Sequence, residues 1–333
     1  MSSVLRDTPF SVLDRSRVRE GADGPAALRE TVALAREAET LGYHRFWVSE
    51  HHGVPGVAGS APTVLAAAVA AATSRIRVGT GGVMLPNHRP MVVAEQFGVL
   101  EALYPGRIDM GLGRSVGFTG AVREALGQGR EAAEGFEEQV GELLDWFEGG
   151  PAAYPGVHAW PAEGLRPAPF VLATGSGADL AARLGLPLVV GGPRGEDALL
   201  RAVERYRSAF RPSVWAARPY VVLSGTVAVA ATPERARRLL VSEAWSAAWS
   251  RTHGEFPPLA PYAAVAGREM TAQERERFEQ AMGGHIHGTP EQVEAELAGL
   301  LSRSGADEFL VTTSAYDRAE LLESYRLLAA LLR

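Results

Sequence analysis

Arg75-Ile-Arg-Val-Gly-Thr-Gly-Gly-Val-Met-Leu-Pro-Asn-His-Arg-Pro90 begins as a β-strand at Ile76 and Val78, is interrupted by Gly79, Gly81 and Gly82, and resumes with Val83, Met84 and Leu85. Glycine inside a strand costs backbone entropy and leaves no side chain to pack. Three glycines so close together predict either a plain bulge or a bare surface against which something flat must lie. The polar loop that follows is stiffened by Pro86 and Pro90 and holds Asn87, the one asparagine of the chain.

Outward from this stretch, short apolar runs alternate with helical patterns. Residues 10–14, 44–49, 76–85, 108–113, 170–174, 186–190, 220–230 and 307–313 read as eight strands. Most are continuous apolar runs, as in parallel strands buried on both faces. Thr232-Pro233-Glu234 and Thr289-Pro290-Glu291 open helices, with threonine as N-cap and proline at the first helical position. Strand–helix alternation over 333 residues predicts an α/β fold, a (β/α)₈ TIM barrel formed by one domain over 1–333. Insertions are expected at about 149–169, rich in Pro and Gly, and at 253–284, where only 272–282 looks helical. A doubly wound sheet holding a dinucleotide would need Gly-x-Gly-x-x-Gly after the first strand, and Arg15-Ser16-Arg17-Val18 stands there instead.

Composition removes several chemistries. All 33 basic residues are arginine, which excludes Schiff-base chemistry, pyridoxal phosphate attachment and the lysine of a phosphate loop. There is no cysteine, hence no disulfide and no thiolate catalysis. The net charge of −6, with no basic stripe, argues against a nucleic-acid partner. No apolar run reaches the roughly 18–20 residues that span a bilayer, and no signal-peptide core follows Arg6 and Asp7. The expectation is a cytoplasmic protein without membrane association.

In a barrel, chemistry gathers at the carboxyl ends of the strands. The second strand ends in Glu50-His51-His52, which reads as a metal site, an acid–base group or a polar rim. Neighbours on an extended strand point in opposite directions, so one metal cannot easily take both histidines. His51 suits proton transfer because imidazole titrates near neutral pH, and His52 suits a structural hydrogen bond. His285 and His287 are spaced to face one side, which leaves a metal-dependent hydrolase on His51, His285 and His287 as one reading. The fourth strand ends in Gly113-Arg114, and the fifth in Gly175-Ser176-Gly177 at a helix start. Free N–H groups and the helix dipole there favour an anion, and Arg114 could add a charge-assisted bond. The plainer reading is a helix cap and a surface arginine. A phosphate here and a flat platform on the third strand together describe a planar phosphorylated cofactor, which flavin mononucleotide (FMN) fits.

Trp-Val-Ser-Glu-His-His (47–52), Val-Gly-Thr-Gly-Gly-Val-Met-Leu-Pro (78–86), Ala-Glu-Gln-Phe (94–97), Pro-Gly-Arg-Ile-Asp-Met-Gly-Leu-Gly-Arg (105–114) and Leu-Gly-Leu-Pro (184–187) resemble the bacterial luciferase-like flavin monooxygenases. The similarity runs over nearly the whole chain. It implies a (β/α)₈ barrel, usually a homodimer, that uses reduced FMN and O₂. It further implies a non-proline cis peptide between Gly81 and Gly82 beneath the flavin ring. His51 takes the place of the catalytic base, and Arg114 that of the arginine on the FMN phosphate. Gly175 and Ser176 match the second phosphate loop, while Asn87 and Gly113 lie in the matching cofactor-binding segments. There are departures. Thr-Gly-Ser-Gly-Ala (174–178) is one residue shorter and poorer in hydroxyls than that loop usually is. Gly113 stands where the luciferases carry a reactive cysteine, so light emission is not implied.

The reading is an FMN-dependent monooxygenase that receives reduced flavin from a separate NAD(P)H flavin reductase, since no nicotinamide-binding motif is visible, and oxygenates a small organic substrate. The alternatives are an oxidoreductase using the deazaflavin F420 for hydride transfer and a non-catalytic flavin-binding protein. Phe256, Pro257, Pro258, Leu259 and Tyr262 could wall an apolar ligand or simply pack a loop.

Overall fold

A computed structural model describes residues 3–173, 177–191 and 195–333. Its strands are β1 (Phe10–Asp14), β2 (Arg45–Val48), β3 (Arg77–Thr80), β4 (Val83–Met84), β5 (Ile108–Gly113), β6 (Ala168–Ala173), β7 (Leu188–Gly191), β8 (Val221–Gly225), β9 (Val227–Val229), β10 (Ile286–Gly288) and β11 (Glu308–Val311). β1, β2, β3 with β4, β5, β6, β7, β8 and β11 close into an eight-position parallel barrel, β11 pairing back onto β1 through Phe10↔Phe309. This is the (β/α)₈ architecture that the strand–helix alternation predicts.

The third barrel position is split. β3 pairs with β2 and, through Val78↔Ile108, with β5, whereas β4 pairs with β5 alone through Val83↔Leu112. Gly81 and Gly82 occupy the break, so the continuous strand 76–85 expected from sequence is two strands and a 3-10 turn, Leu85–Asn87. Thr80 repairs the interrupted ladder: its Oγ1 donates to Gly111 O (2.8 Å) and accepts from Gly111 N–H (3.1 Å). Buried main-chain groups need such partners where strand pairing stops.

The run 220–230 also divides. β8 stays in the barrel, while β9 leaves to pair in parallel with β10. The apolar, buried runs Val221–Leu223 and Val227–Val229 are separated by the half-buried Ser224-Gly225-Thr226, where the chain leaves the barrel. Region 253–284 contains the expected helix, Ala272–Met282, and a short one, Tyr262–Ala266, that periodicity had not revealed. Thr232 and Thr289 cap their helices as predicted. Among the described residues no helix is long and apolar enough to cross a membrane.

Alternation along the strands fills the barrel in layers. Ser11, Arg45, Asp109, Glu308 and Tyr220 meet near the amino ends of the strands. Arg45 pairs with Asp109 (2.8 Å) and Glu308 (2.9 Å), and its guanidinium lies 4.9 Å from the Phe170 ring centroid. Ser11 and Tyr220 donate hydroxyl protons to Glu308, and Arg77 closes on Asp109 at 2.6 Å. Burial alone would pull the Arg45 pKa down, but the two carboxylates hold it above its ordinary value. Two residues further along the strands lies an apolar layer of Leu13, Trp47, Phe170, Val189, Val222 and Leu310. Trp47 Nε1–H donates to Asp109 (2.9 Å), joining the layers. The bare main chain of Gly81 rests on Leu13 and Trp47.

Candidate active site

Above that apolar layer, at the carboxyl ends of the strands, opens a cavity of about 920 Å³. Its floor includes Gly81 and Gly82, joined by a cis peptide bond, as the family resemblance implies. A Cβ on Gly81 would come within 2.8 Å of Leu13 Cδ1. On Gly82 it would come within 2.7 Å of the Gly111 carbonyl oxygen, which is main chain and cannot rotate away. Packing beneath and beside the floor thus requires glycine at both positions, and neither sends a side chain into the cavity.

Glu50 anchors this surface. Its side chain is fully buried; Oε1 accepts from His52 Nε2 (2.7 Å) and His88 Nε2 (2.8 Å), and Oε2 from the Met84 N–H (2.9 Å). Burial pushes its pKa up, but the bonds from His52 and His88 prevail and hold it at about 2. The carboxylate thus ties the end of β2 to the segment just past the glycines. Among the described residues, Glu50, His52 and His88 are the one group of three donors close enough together for a metal ion. Their separations are those of hydrogen bonds, and the second carboxylate oxygen is already used. The alternative set of His51, His285 and His287 is not brought together: His285 Nε2 donates to Ala281 O and His287 Nδ1 to His285 O.

His51, which follows the end of β2 at Val48, lines the cavity together with Glu50 and His52. Its N–H donates to Gly59 O (2.8 Å), and its Nδ1 lies 3.2 Å from Ser49 Oγ. No hydrogen bond to Nε2 occurs among the described residues. Burial lowers its pKa, Arg15 and Arg17 lower it further, Glu243 and Glu50 oppose them, and the result is about 4. His51 is neutral at pH 7 and can accept a proton or a hydrogen bond. Arg15 and Arg17 share Glu243, at 3.0 and 3.3 Å. Sequence reasoning missed this cluster, because it joins the end of β1 to a helix more than 220 residues away.

Gly113 and Arg114 line the same cavity. Arg114 is exposed and has no hydrogen bond or ion pair among the described residues, so its guanidinium is available to an anion. Gly175 and Ser176 lie outside the described residues, but Gly177, which starts the next helix, lines the cavity. Asn87 does not line it. Its amide is buried in the 3-10 turn, and neither Nδ2 nor Oδ1 finds a partner among the described residues. The cavity therefore joins a glycine floor, a neutral imidazole and a guanidinium that has no partner among the described residues. These residues fit a flat ring with an anionic tail, and so fit FMN.

Comparison with known proteins gives the family. Residues 8–308 match the luciferase-like monooxygenase family. The chain is 36% identical over 322 residues to the Escherichia coli (strain K12) protein named luciferase-like monooxygenase, covering 96% of this chain and 95% of that one. It is 34% identical over 331 residues to the Bacillus subtilis (strain 168) N-acetyl-S-alkylcysteine monooxygenase, covering 96% and 97%. The crystal structure of apo-MsnO8 superposes with a TM-score of 0.85 at 32% identity, covering 97% of this chain and 98% of that one. More distant structures share the fold. The oxygenating constituent of 3,6-diketocamphane monooxygenase from Pseudomonas putida, in complex with FMN, has a TM-score of 0.74 at 20% identity, covering 98% and 97%. An F420-dependent secondary alcohol dehydrogenase has 0.72 at 15%, covering 98% and 99%. Fold alone therefore does not choose between the two flavins.

Proposed function

Because the chain belongs to the luciferase-like monooxygenase family, we propose that it is an FMN-dependent monooxygenase. It receives reduced FMN from a separate NAD(P)H flavin reductase and uses O₂ to oxygenate a small organic substrate. One observation carries this reading: the Gly81–Gly82 floor, neutral His51 and Arg114, which has no partner among the described residues, share a single cavity.

Reduced FMN, when bound, supplies the electrons that activate O₂. The residues of the chain hold and shield it. Gly81 and Gly82 present main chain to the ring. Arg114 neutralises the phosphate by a charge-assisted hydrogen bond. His51 Nε2 accepts a proton at the reacting centre, while Ser49 at Nδ1 fixes the ring orientation. Glu50 holds floor and base in register. The apolar layer below the floor keeps water from reaching it from inside the barrel.

The test is titration with FMN and with F420. FMN binding is expected to be the tighter, and Arg114→Ala to weaken it by roughly ten- to a hundredfold, the worth of a hydrogen bond to a charged group. Tighter binding of F420 would replace this reading with hydride transfer. N-acetyl-S-alkylcysteines are the first substrates to assay, because a relative of this chain acts on them by name.

We also propose a homodimer. The adjacent helices Pro62–Ala72 and Pro90–Leu103, tied by Thr63 to Gln96 (3.0 Å), expose Val64, Val92, Val99 and Leu103. Val92, Val99 and Leu103 share one helix face, the spacing by which helices pack on helices. A second copy burying this stripe would remove it from water. Sedimentation should give a dimer for the natural protein and a monomer for Val99→Asp combined with Leu103→Asp. A natural protein that sediments as a monomer at micromolar concentration would refute this assembly.

A further inference from the structure

Two aromatic rings in the cavity lie outside the hydrophobic core formed by the described residues. Phe118, 45% exposed, precedes the helix Gly120–Ala125, and Phe256 follows the helix Pro233–His253. Their centroids are 5.0 Å apart at an interplanar angle of 54°. Both line the cavity, together with Val54 and Val116. Neither ring belongs to the hydrophobic core or packs against it. Large aromatic side chains outside a core, paired within a cavity, mark a surface that takes an apolar ligand.

The chain holds this pair beside His51. The Gly56 N–H, on the loop that starts at His51, donates to Phe256 O (2.7 Å). Arg17 Nη2 donates to the next carbonyl, Pro257 O (3.2 Å), and Leu259 pairs with Val18 and Glu20 through main-chain bonds of 2.8 and 2.9 Å. A Cβ at Gly56 would lie 2.1 Å from Pro257 O, so only glycine permits this contact. Phe256 is thus held at its own carbonyl and through the residues that follow it. Phe118 is fastened more lightly, through Arg123 Nη1 to the Gly117 and Phe118 carbonyls at 2.8 and 3.3 Å.

We propose that Phe118 and Phe256 are the specificity-determining wall of the substrate site, and that the substrate lays an uncharged alkyl or aryl group against them while its reacting atom lies at His51. Phe256 sets the fixed face of the slot, and Phe118 adjusts to the length of the group. The inference deepens the monooxygenase reading and rests on it for the identity of the reacting centre.

The test uses the full-length protein and the neutral fluorophore N-phenyl-1-naphthylamine, titrated by fluorescence alongside a separate FMN titration. The natural protein should bind the probe. Phe118→Ala and Phe256→Ala should each weaken it by roughly tenfold, while Phe118→Leu and Phe256→Leu, which keep apolar area, should stay within about threefold. FMN affinity should change by less than about twofold in all four variants. Phe118 lies in a partly exposed loop, so its variants keep the test decisive if a Phe256 variant fails to fold. Absence of probe binding to the natural protein, or unchanged probe affinity in the alanine variants, would overturn the wall. So would a parallel loss of FMN affinity, since the rings would then face the cofactor. If the natural protein ignored FMN yet lost the probe on Phe→Ala, the wall would stand and the cofactor reading would fall.

Discussion

Asp109→Ala should destabilise the protein by about 3–5 kcal/mol, the usual result of removing one partner from a buried ion network. Asp109 is completely buried and accepts from Arg45 Nη1 (2.8 Å), Arg77 Nη2 (2.6 Å) and Trp47 Nε1 (2.9 Å). Without it, Arg45 keeps Glu308 as its one carboxylate partner among the described residues, and a buried indole N–H loses its acceptor. Both losses fall on groups that water cannot reach, so their desolvation is uncompensated. The exposed Arg303–Glu196 pair provides the contrast, and Arg303→Ala should leave the unfolding midpoint nearly unchanged. Urea unfolding of both variants decides the matter. A loss below about 1 kcal/mol for Asp109→Ala would mean that the network only fills space.

His51→Gln should move activity and acid stability in opposite directions. Loss of a positioned proton acceptor typically lowers turnover by roughly 10²–10⁴-fold, readable in an assay coupled to a flavin reductase. Unchanged turnover would remove His51 from the mechanism. The stability effect follows from the lowered pKa. The folded protein holds His51 at about 4, below the ordinary value of 6.5. Between those values the unfolded chain binds a proton that the folded chain refuses, so stability falls as pH drops from 6.5 to 4. The loss reaches up to about 3 kcal/mol and then levels off, once both states are protonated. Glutamine removes this slope, so His51→Gln should be the more stable protein at pH 5. Glu50 acts in a lower window. Its carboxylate is held at about 2 against an ordinary 4.5, so its contribution is complete above 4.5 and is lost as pH falls towards 2. Thermal melts from pH 7 to pH 3 separate the two, because only the upper slope should vanish in His51→Gln.

How far the site was legible in sequence depends on how local each signal is. Gly79, Gly81 and Gly82 interrupt a strand in plain view, and the structure shows the break where they stand. Gly113-Arg114 follows a strand that alternation locates, and it arrives at the cavity. Asn87 was singled out with them, but it turns into the protein at the 3-10 turn rather than towards the cavity. A polar residue in a loop carries no local sign of which way its turn will face.

The sequence by itself was enough for the barrel and the glycine break, and it put forward His51 and Arg114, which both line the cavity. Strand period, strand–helix alternation and the lack of side chains are properties of neighbouring residues. Only the tertiary structure decided that Glu50 is an anchor, taking His52 from its own strand end but Met84 and His88 from the next. The same holds for Arg45 between Asp109 and Glu308, and for Phe118 against Phe256. These pairs lie far apart in the chain and meet because barrel closure and strand register bring them level. Register depends on every strand at once, so no short stretch of sequence encodes it.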